Sequence, residues 1–401
     1  MISLDDLRAA RTRVTPVIRA TPVTTSDALS TLVGRRLSLK GEHLQRTGSY
    51  KIRGAYNRIS RLDPATTPAG VVAASAGNHA QGVALAARLS GIASTIFMPI
   101  TAPLPKVAAT RGYGAEVRLV GEFVDDCIAA ALEHAQATGA VFVPPFDDPL
   151  IIAGQGTVGL ELAEEAPDAE VVVVPVGGGG LIAGVATALA LTRPGVRIVG
   201  VEAAGAGAMR ASLDAGRCVS LERVATMADG IAVRAPSELT LAHVRAYVDD
   251  VVTVTEEEIS QAVLLLLERA KALVEPAGAV GLAALLAGKV AGSGPVTTIL
   301  SGGNVDPLLL MKLIDHGLSA AGRYLVVRVV LGDRPGALAA LTATMATLGL
   351  NVLSVEHHRA GLALRVDEVE VLLTLETRDP DHRSEIVAAI GAAGFAVELV
   401  R

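Results

Sequence analysis

The sequence predicts an α/β fold, an open and mostly parallel sheet clothed by helices, followed by a small βαββαβ unit. Three observations carry this. Val/Ile-rich runs alternate with Ala/Leu-rich helical stretches through residues 1–320, the pattern of strands joined by crossover helices. Those runs are apolar on both faces, as in a parallel sheet covered on each side. Beyond Gly317 the order changes to strand, helix, strand, strand, helix, strand over residues 324–401, a ferredoxin-like pattern.

In chain order, strands are expected at 70–75, 94–99, 115–120, 140–145, 170–176 and 196–202, with VTTIL before Ser301 as another. Between them HAQGVALAARLS, CIAAALEHAQATG, LIAGVATALALTRPG and EEEISQAVLLLLERAKALV read as helices, several closed by Gly or Pro. Residues 171–192 carry no charge, a length that would span a bilayer. Four consecutive glycines, Gly177 to Gly180, would weaken such a helix, so a strand, a glycine turn and a core helix are expected instead. GLSAAGR, 317–323, reads as a linker. After it come strands at 324–331, 350–359, 367–376 and 395–400 and helices at 335–348 and 380–393.

Composition narrows the function. Of 401 residues 51% are hydrophobic and 19% charged, enough for a large core and against disorder. The net charge of −6 gives polyanions no footprint, and an aromatic content of 2% without Trp offers no base-stacking platform or membrane belt. Neither nucleic acid nor membrane is an expected partner. Two cysteines, Cys127 and Cys218, make no disulfide framework, and no CxxC or HExxH spacing suggests zinc. The start, MISLDDLRAARTRV, lacks an apolar signal region, which points to a cytoplasmic chain.

Chemistry concentrates in four glycine-marked segments. GSYKIRGA, 48–55, flanks Lys51 with small residues that let a ligand approach. SAGNHAQG, 75–82, follows a strand and opens a helix, so Gly77, Asn78 and His79 offer backbone N–H groups to an anion. VGGGGLIAG, 176–184, repeats that arrangement with a glycine nest suited to phosphate. SGGN, 301–304, sets a hydroxyl at a strand's carboxyl end. Gly178, Gly180 and Ala183 also fit GxGxxA, with Glu202 ending the next strand, so an NAD-dependent dehydrogenase is a rival reading. That rival leaves three segments unexplained. A Schiff-base lysine, a phosphate cradle and a partner for a ring nitrogen together call for pyridoxal 5'-phosphate.

With MADGIAV, VEPAGA and LSGGNVD added, residues 1–320 resemble the fold type II pyridoxal-phosphate enzymes of tryptophan synthase beta-like architecture, and among them the threonine ammonia-lyases. LGDRPGALAALTATMATLGLNVLSVEHH resembles an ACT regulatory domain, placed at 324–401. The resemblance implies a small subdomain at about 70–145 inserted in the larger one. It assigns Lys51 to the Schiff base, Asn78 to the ring's 3-oxygen, and Gly177, Gly178, Gly179, Gly180 and the Leu181 amide to the phosphate. Ser301 would face the ring nitrogen. Ser75 and the amides of Gly77, Asn78 and His79 would receive the substrate carboxylate, with His79 a helix-start residue rather than an acid or metal ligand.

The implied reaction is β-elimination of L-threonine, and of L-serine, to a 2-oxo acid and ammonia, as in isoleucine biosynthesis. A serine ammonia-lyase, a serine racemase and a non-catalytic amino-acid sensor are the other readings. Racemisation is expected to be poor, because Ala76 stands where related serine racemases carry a proton-transferring serine. Those racemases also hold a divalent cation; here Glu202 and the Ala206 carbonyl remain but Ala208 replaces the Asp, which leaves a monovalent cation as the expectation. For the tail, a branched-chain amino acid bound between paired ACT-like units is the expected effector, near Arg334, Gly336 and Asn351, in a homo-oligomer, dimer or tetramer.

Overall fold

The computed structural model describes residues 1–320, 322–359 and 365–400. They pack as two units, Met1–Pro307 and Leu308–Arg401. The first holds strands β1 (Val23–Thr25), β2 (Leu37–Lys40), β3 (Val71–Ala74), β4 (Ser94–Met98), β5 (Glu116–Leu119), β6 (Val141–Phe142), β7 (Val171–Pro175), β8 (Arg197–Ala203), β9 (Asp250–Val254) and β10 (Val296–Ile299).

Six of these form a sheet in the order β1-β2-β10-β7-β8-β9, parallel except for β1 on its edge. The other four form an all-parallel sheet, β5-β4-β3-β6. The wholly buried VVVVP of β7 shows why the runs are apolar on both faces. Ile182, Val185 and Leu189 of helix Gly180–Thr192 pack with β7 and β8, and Ile52, Val83 and Leu85 pack with β3 and β4. β6 is shorter than expected because Pro144 and Pro145 carry no N–H for a ladder. β1, β2 and β9 were not anticipated. They are short, and polar residues interrupt their apolar pattern.

The uncharged run resolves into β7, a glycine turn and helix Gly180–Thr192, and no described helix is long and apolar enough to cross a membrane. The helix expected over 256–274 is α-helical only at Glu256–Leu265. One π turn follows, Leu266–Ala270, and Lys271 ends it at φ 55°, the left-handed region. That early stop leaves extended chain to deliver Glu275 to the head of helix Pro276–Leu286.

The expected linker at 317–323 is corrected too. Helix Pro307–Ala320 runs into it, because PLLLMKLIDHGLSA keeps a helical apolar spacing and one interior glycine is tolerated. The second unit adds β11 (Tyr324–Gly332), β12 (Val352–His358), β13 (Glu368–Glu376) and β14 (Ala396–Leu399). These form an antiparallel sheet, β12-β13-β11-β14, covered on one face by helices Ala337–Thr347 and Pro380–Ala392. This is the ferredoxin-like arrangement expected. Its first helix starts at Ala337 rather than 335 because Gly336, at φ 90°, is its N-cap.

Candidate active site

The four glycine-marked segments meet around one cavity of about 260 Å³. Ser49 bridges Gly302, and the Tyr50 N–H donates to the Ser301 carbonyl at 3.2 Å, so the lysine segment lies beside the end of β10. Lys51 opens helix Lys51–Ile59 and donates from Nζ to the Pro145 carbonyl at 3.1 Å. Loss of solvent around the amine lowers its pKa to about 8, against the charge of Glu275, which pulls it up.

That helix is anchored by ions. Arg53, fully buried, donates to Glu42 at 2.7 and 2.8 Å, to Glu161 at 2.6 and 2.9 Å and to Thr157 at 3.1 Å. Lys40, also fully buried, reaches Glu161 and Glu165 at 2.8 Å each. Burial raises the Glu161 carboxyl, yet the Arg53 guanidinium outweighs it and holds the group below the usual carboxylate range.

After β3 the chain turns through Ser75 to Gly77 and enters helix Asn78–Leu89, whose N-cap, Gly77, supplies no side chain. The Gly77 amide, expected to face a carboxylate, instead donates to Ser75 Oγ at 3.1 Å. The amides of Asn78 and His79 are left at the helix start. His79 is not an acid. Its Nε2 donates to the Val143 carbonyl at 2.9 Å, and burial, reinforced by the Lys51 charge, lowers its pKa to about 3.

After β7, Gly177 to Gly180 turn into helix Gly180–Thr192 with Gly179 at φ 89°. A Cβ at Gly178 would lie 2.2 Å from the Phe146 ring, and one at Gly179 2.6 Å from Met209 Cε, so only bare backbone fits. Successive N–H groups at a helix start, an amine and the buried Ser301 hydroxyl are the donor set that a phosphorylated pyridine aldehyde needs. A dinucleotide fits less well. Glu202, buried, accepts from the Met209 and Arg210 amides at 2.8 Å each, capping helix Ala208–Ala215 instead of facing a ribose.

The structure also brings in residues that the sequence did not single out. Phe146 leans on the glycine loop, Lys106 pairs with Asp229 at the cavity wall, and Glu275 and Asn304 hold Asn78. Asn304 and Glu275 lie inside motifs already noted, SGGN and VEPAGA, and were legible as polar residues beside close-packed glycines. Asp229 lies inside MADGIAV, also already noted, whereas its partner Lys106, far away in sequence, gives no local signal.

In the second unit the expected effector residues do not converge within one copy. Arg334 and Gly336 follow the end of β11. Asn351 donates to Glu376 at 3.0 Å, and Glu376 pairs with Tyr324 at the start of β11, about 27 Å away at the usual rise per strand residue.

Comparison with known proteins agrees with this geometry. Residues 14–302 match the family of pyridoxal-phosphate dependent enzymes and residues 325–395 the ACT domain. The chain is 48% identical over 400 residues to an L-threonine ammonia-lyase of Thermotoga maritima, covering 100% of each. It resembles a solved threonine deaminase from T.th. with a TM-score of 0.72 and 44% identity, over 76% of this chain and 99% of that one. For maize serine racemase the TM-score is 0.74 and the identity 38%, over 79% and 98%. The chain thus belongs to the pyridoxal-phosphate dependent enzymes, with an ACT domain after its catalytic fold.

Proposed function

We propose that the protein is an L-threonine ammonia-lyase, converting L-threonine to 2-oxobutanoate and ammonia and L-serine to pyruvate and ammonia. The observation that carries the reading is the convergence of Lys51, the glycine cradle and Ser301 on one cavity. Pyridoxal phosphate, when bound, supplies the electron sink that accepts the charge left at the substrate Cα. Lys51 carries the cofactor and takes the Cα proton on Nζ, which its lowered pKa suits. The amides of Gly177 to Leu181 hold the phosphate. The Asn78 side-chain amide would donate to the ring 3-oxygen, and the Ser301 hydroxyl would share a hydrogen bond with the ring nitrogen without fixing a proton there. Ser75 and the amides of Asn78 and His79 orient the substrate carboxylate. Incubation with L-threonine, with 2-oxobutanoate and ammonia measured in equal amounts, tests the reading; no release of either overturns it.

Two results follow at this site. Neutral amine is the form of Lys51 that captures an aldehyde, and its share grows as pH rises towards about 8. Uptake of pyridoxal phosphate by apoprotein, followed by stopped-flow absorbance, should therefore accelerate with rising pH and level off above about 8. A rate flat across that range contradicts the assignment. Ala76 lines the cavity with a methyl group that moves no proton. L-Serine should yield pyruvate with only traces of D-serine by chiral chromatography, and comparable yields would favour the racemase.

The ACT unit makes the enzyme responsive to an amino acid, of which a branched-chain one is the first candidate. Because Arg334 and Asn351 lie at opposite ends of β11, one effector touches both only across two copies, which accords with a homo-oligomer. An effector acts through its differential affinity for two states, typically ~1–3 kcal/mol. Isoleucine or valine should shift the threonine saturation curve of the full chain but not of a truncation after Arg323. A full-length curve that no common amino acid moves would leave the unit a dimerisation scaffold.

A further inference from the structure

The side-chain amide of Asn78 is held from both ends. The Thr47 carbonyl only accepts hydrogen bonds, and Asn304 Nδ2 lies 2.7 Å from it, which fixes that end of Asn304 as the amino end. The same nitrogen is 2.8 Å from Asn78 Oδ1, so the oxygen of Asn78 must face Asn304. Its Nδ2 then meets Glu275 Oε1 at 2.6 Å. An amide's two ends are told apart by their partners, and here a backbone carbonyl settles both amides in turn.

Bare backbone closes the assembly. A Cβ at Gly302 would lie 2.2 Å from Glu275 Oε1 and 3.0 Å from Asn78 Nδ2, and one at Gly48 2.3 Å from Asn304 Oδ1. Neither partner can swing away through those walls. Glu275 is itself buried, and its N–H donates to the Gly302 carbonyl at 3.0 Å.

We propose that Glu275 and Asn304 are positioning residues that act through Asn78, turning its amide so that it presents an N–H, never its carbonyl, to the ring oxygen of the cofactor. The inference rests on the contact between Asn78 and that oxygen given above. One amino hydrogen of Asn78 goes to Glu275, and the other is left for the cavity that Asn78 lines. Glu275→Gln supplies an amide able to offer either end, and Asn304→Asp replaces the donor with an acceptor. Either change lets Asn78 turn its carbonyl inward.

The test is a double-mutant cycle on the full-length holoprotein, reading the pyridoxal phosphate dissociation constant by equilibrium dialysis and the absorption spectrum of the bound cofactor. Each single substitution should weaken binding roughly tenfold or more, the worth of one hydrogen bond to a charged group, and shift the spectrum. In an Asn78→Ala background the same substitutions should change binding by less than about twofold, since the group they orient is gone. Equal losses with and without Asn78 would mean that the two residues serve the fold generally, and would overturn the proposal. Asn78→Ala with wild-type binding and spectrum would overturn the ring-oxygen contact, and this inference with it. Thermal midpoints of the apoproteins separate folding failure from lost positioning, and Asn304→Asp stands in should Glu275→Gln not fold.

Discussion

Lys51→Ala is expected to lower 2-oxobutanoate formation from threonine by about 10³-fold or more, because in the proposed mechanism one amine both carries the cofactor and moves the Cα proton. The fold should persist. Lys51 is the first residue of its helix, and its amine donates to the Pro145 carbonyl, while the buried Ile52 and Arg53 beside it anchor that helix. Absorbance of the bound cofactor, circular dichroism and a coupled assay for the oxo acid check the three parts. Turnover near wild type with a native spectrum would remove Lys51 from the chemistry.

The largest stability loss is expected two residues later. Arg53→Met leaves the buried Glu42 without its bidentate partner and deprives Glu161 of one of two cations, a loss of about 3–5 kcal/mol for breaking a buried pair. Adding Glu42→Leu should recover a good part, since an apolar pair of similar volume costs less than one orphaned charge. Urea unfolding of the three proteins measures both effects. The sign with pH follows from Glu161, whose depressed pKa contributes stability above the ordinary carboxylate range that is lost as pH falls through the folded value. In Arg53→Met that acid-side loss should shrink. A single-variant loss below about 1 kcal/mol would contradict the buried pairing.

Much of this was legible in the sequence where the signal was local. β7 with the glycine turn, and GSYKIRGA with its lysine, announced themselves by composition over fewer than ten residues. The βαββαβ order of the tail was equally plain, with element ends off by one or two residues. What escaped was set by distant partners. Glu275 and Asn304 sat within recognised motifs, but their role depends on Asn78, some 200 residues away in sequence. The proposed effector residues show the reverse case, closeness in sequence without closeness in one copy. Arg334 and Asn351 are close in sequence, yet a whole strand length separates them in the fold. The helix expected through 274 stopped early because Lys271 takes a left-handed turn that no propensity forecasts.

The place of β10 between β2 and β7 imposes an order on biosynthesis. It is the last strand of the catalytic unit to leave the ribosome, yet it stands inside the sheet. From the emergence of β7 to that of β10 roughly 10 s pass at typical rates of about 5–20 residues per second. During that interval β2 and β7 present open edges flanked by apolar side chains, the surfaces that chaperones cover and that aggregate when left bare. Ser301 emerges directly after β10, so the nascent chain gains the proposed ring-nitrogen partner and its closed sheet in one event. Chains stalled before Val296 lack both the central strand and the Ser301 hydroxyl of the cavity lining.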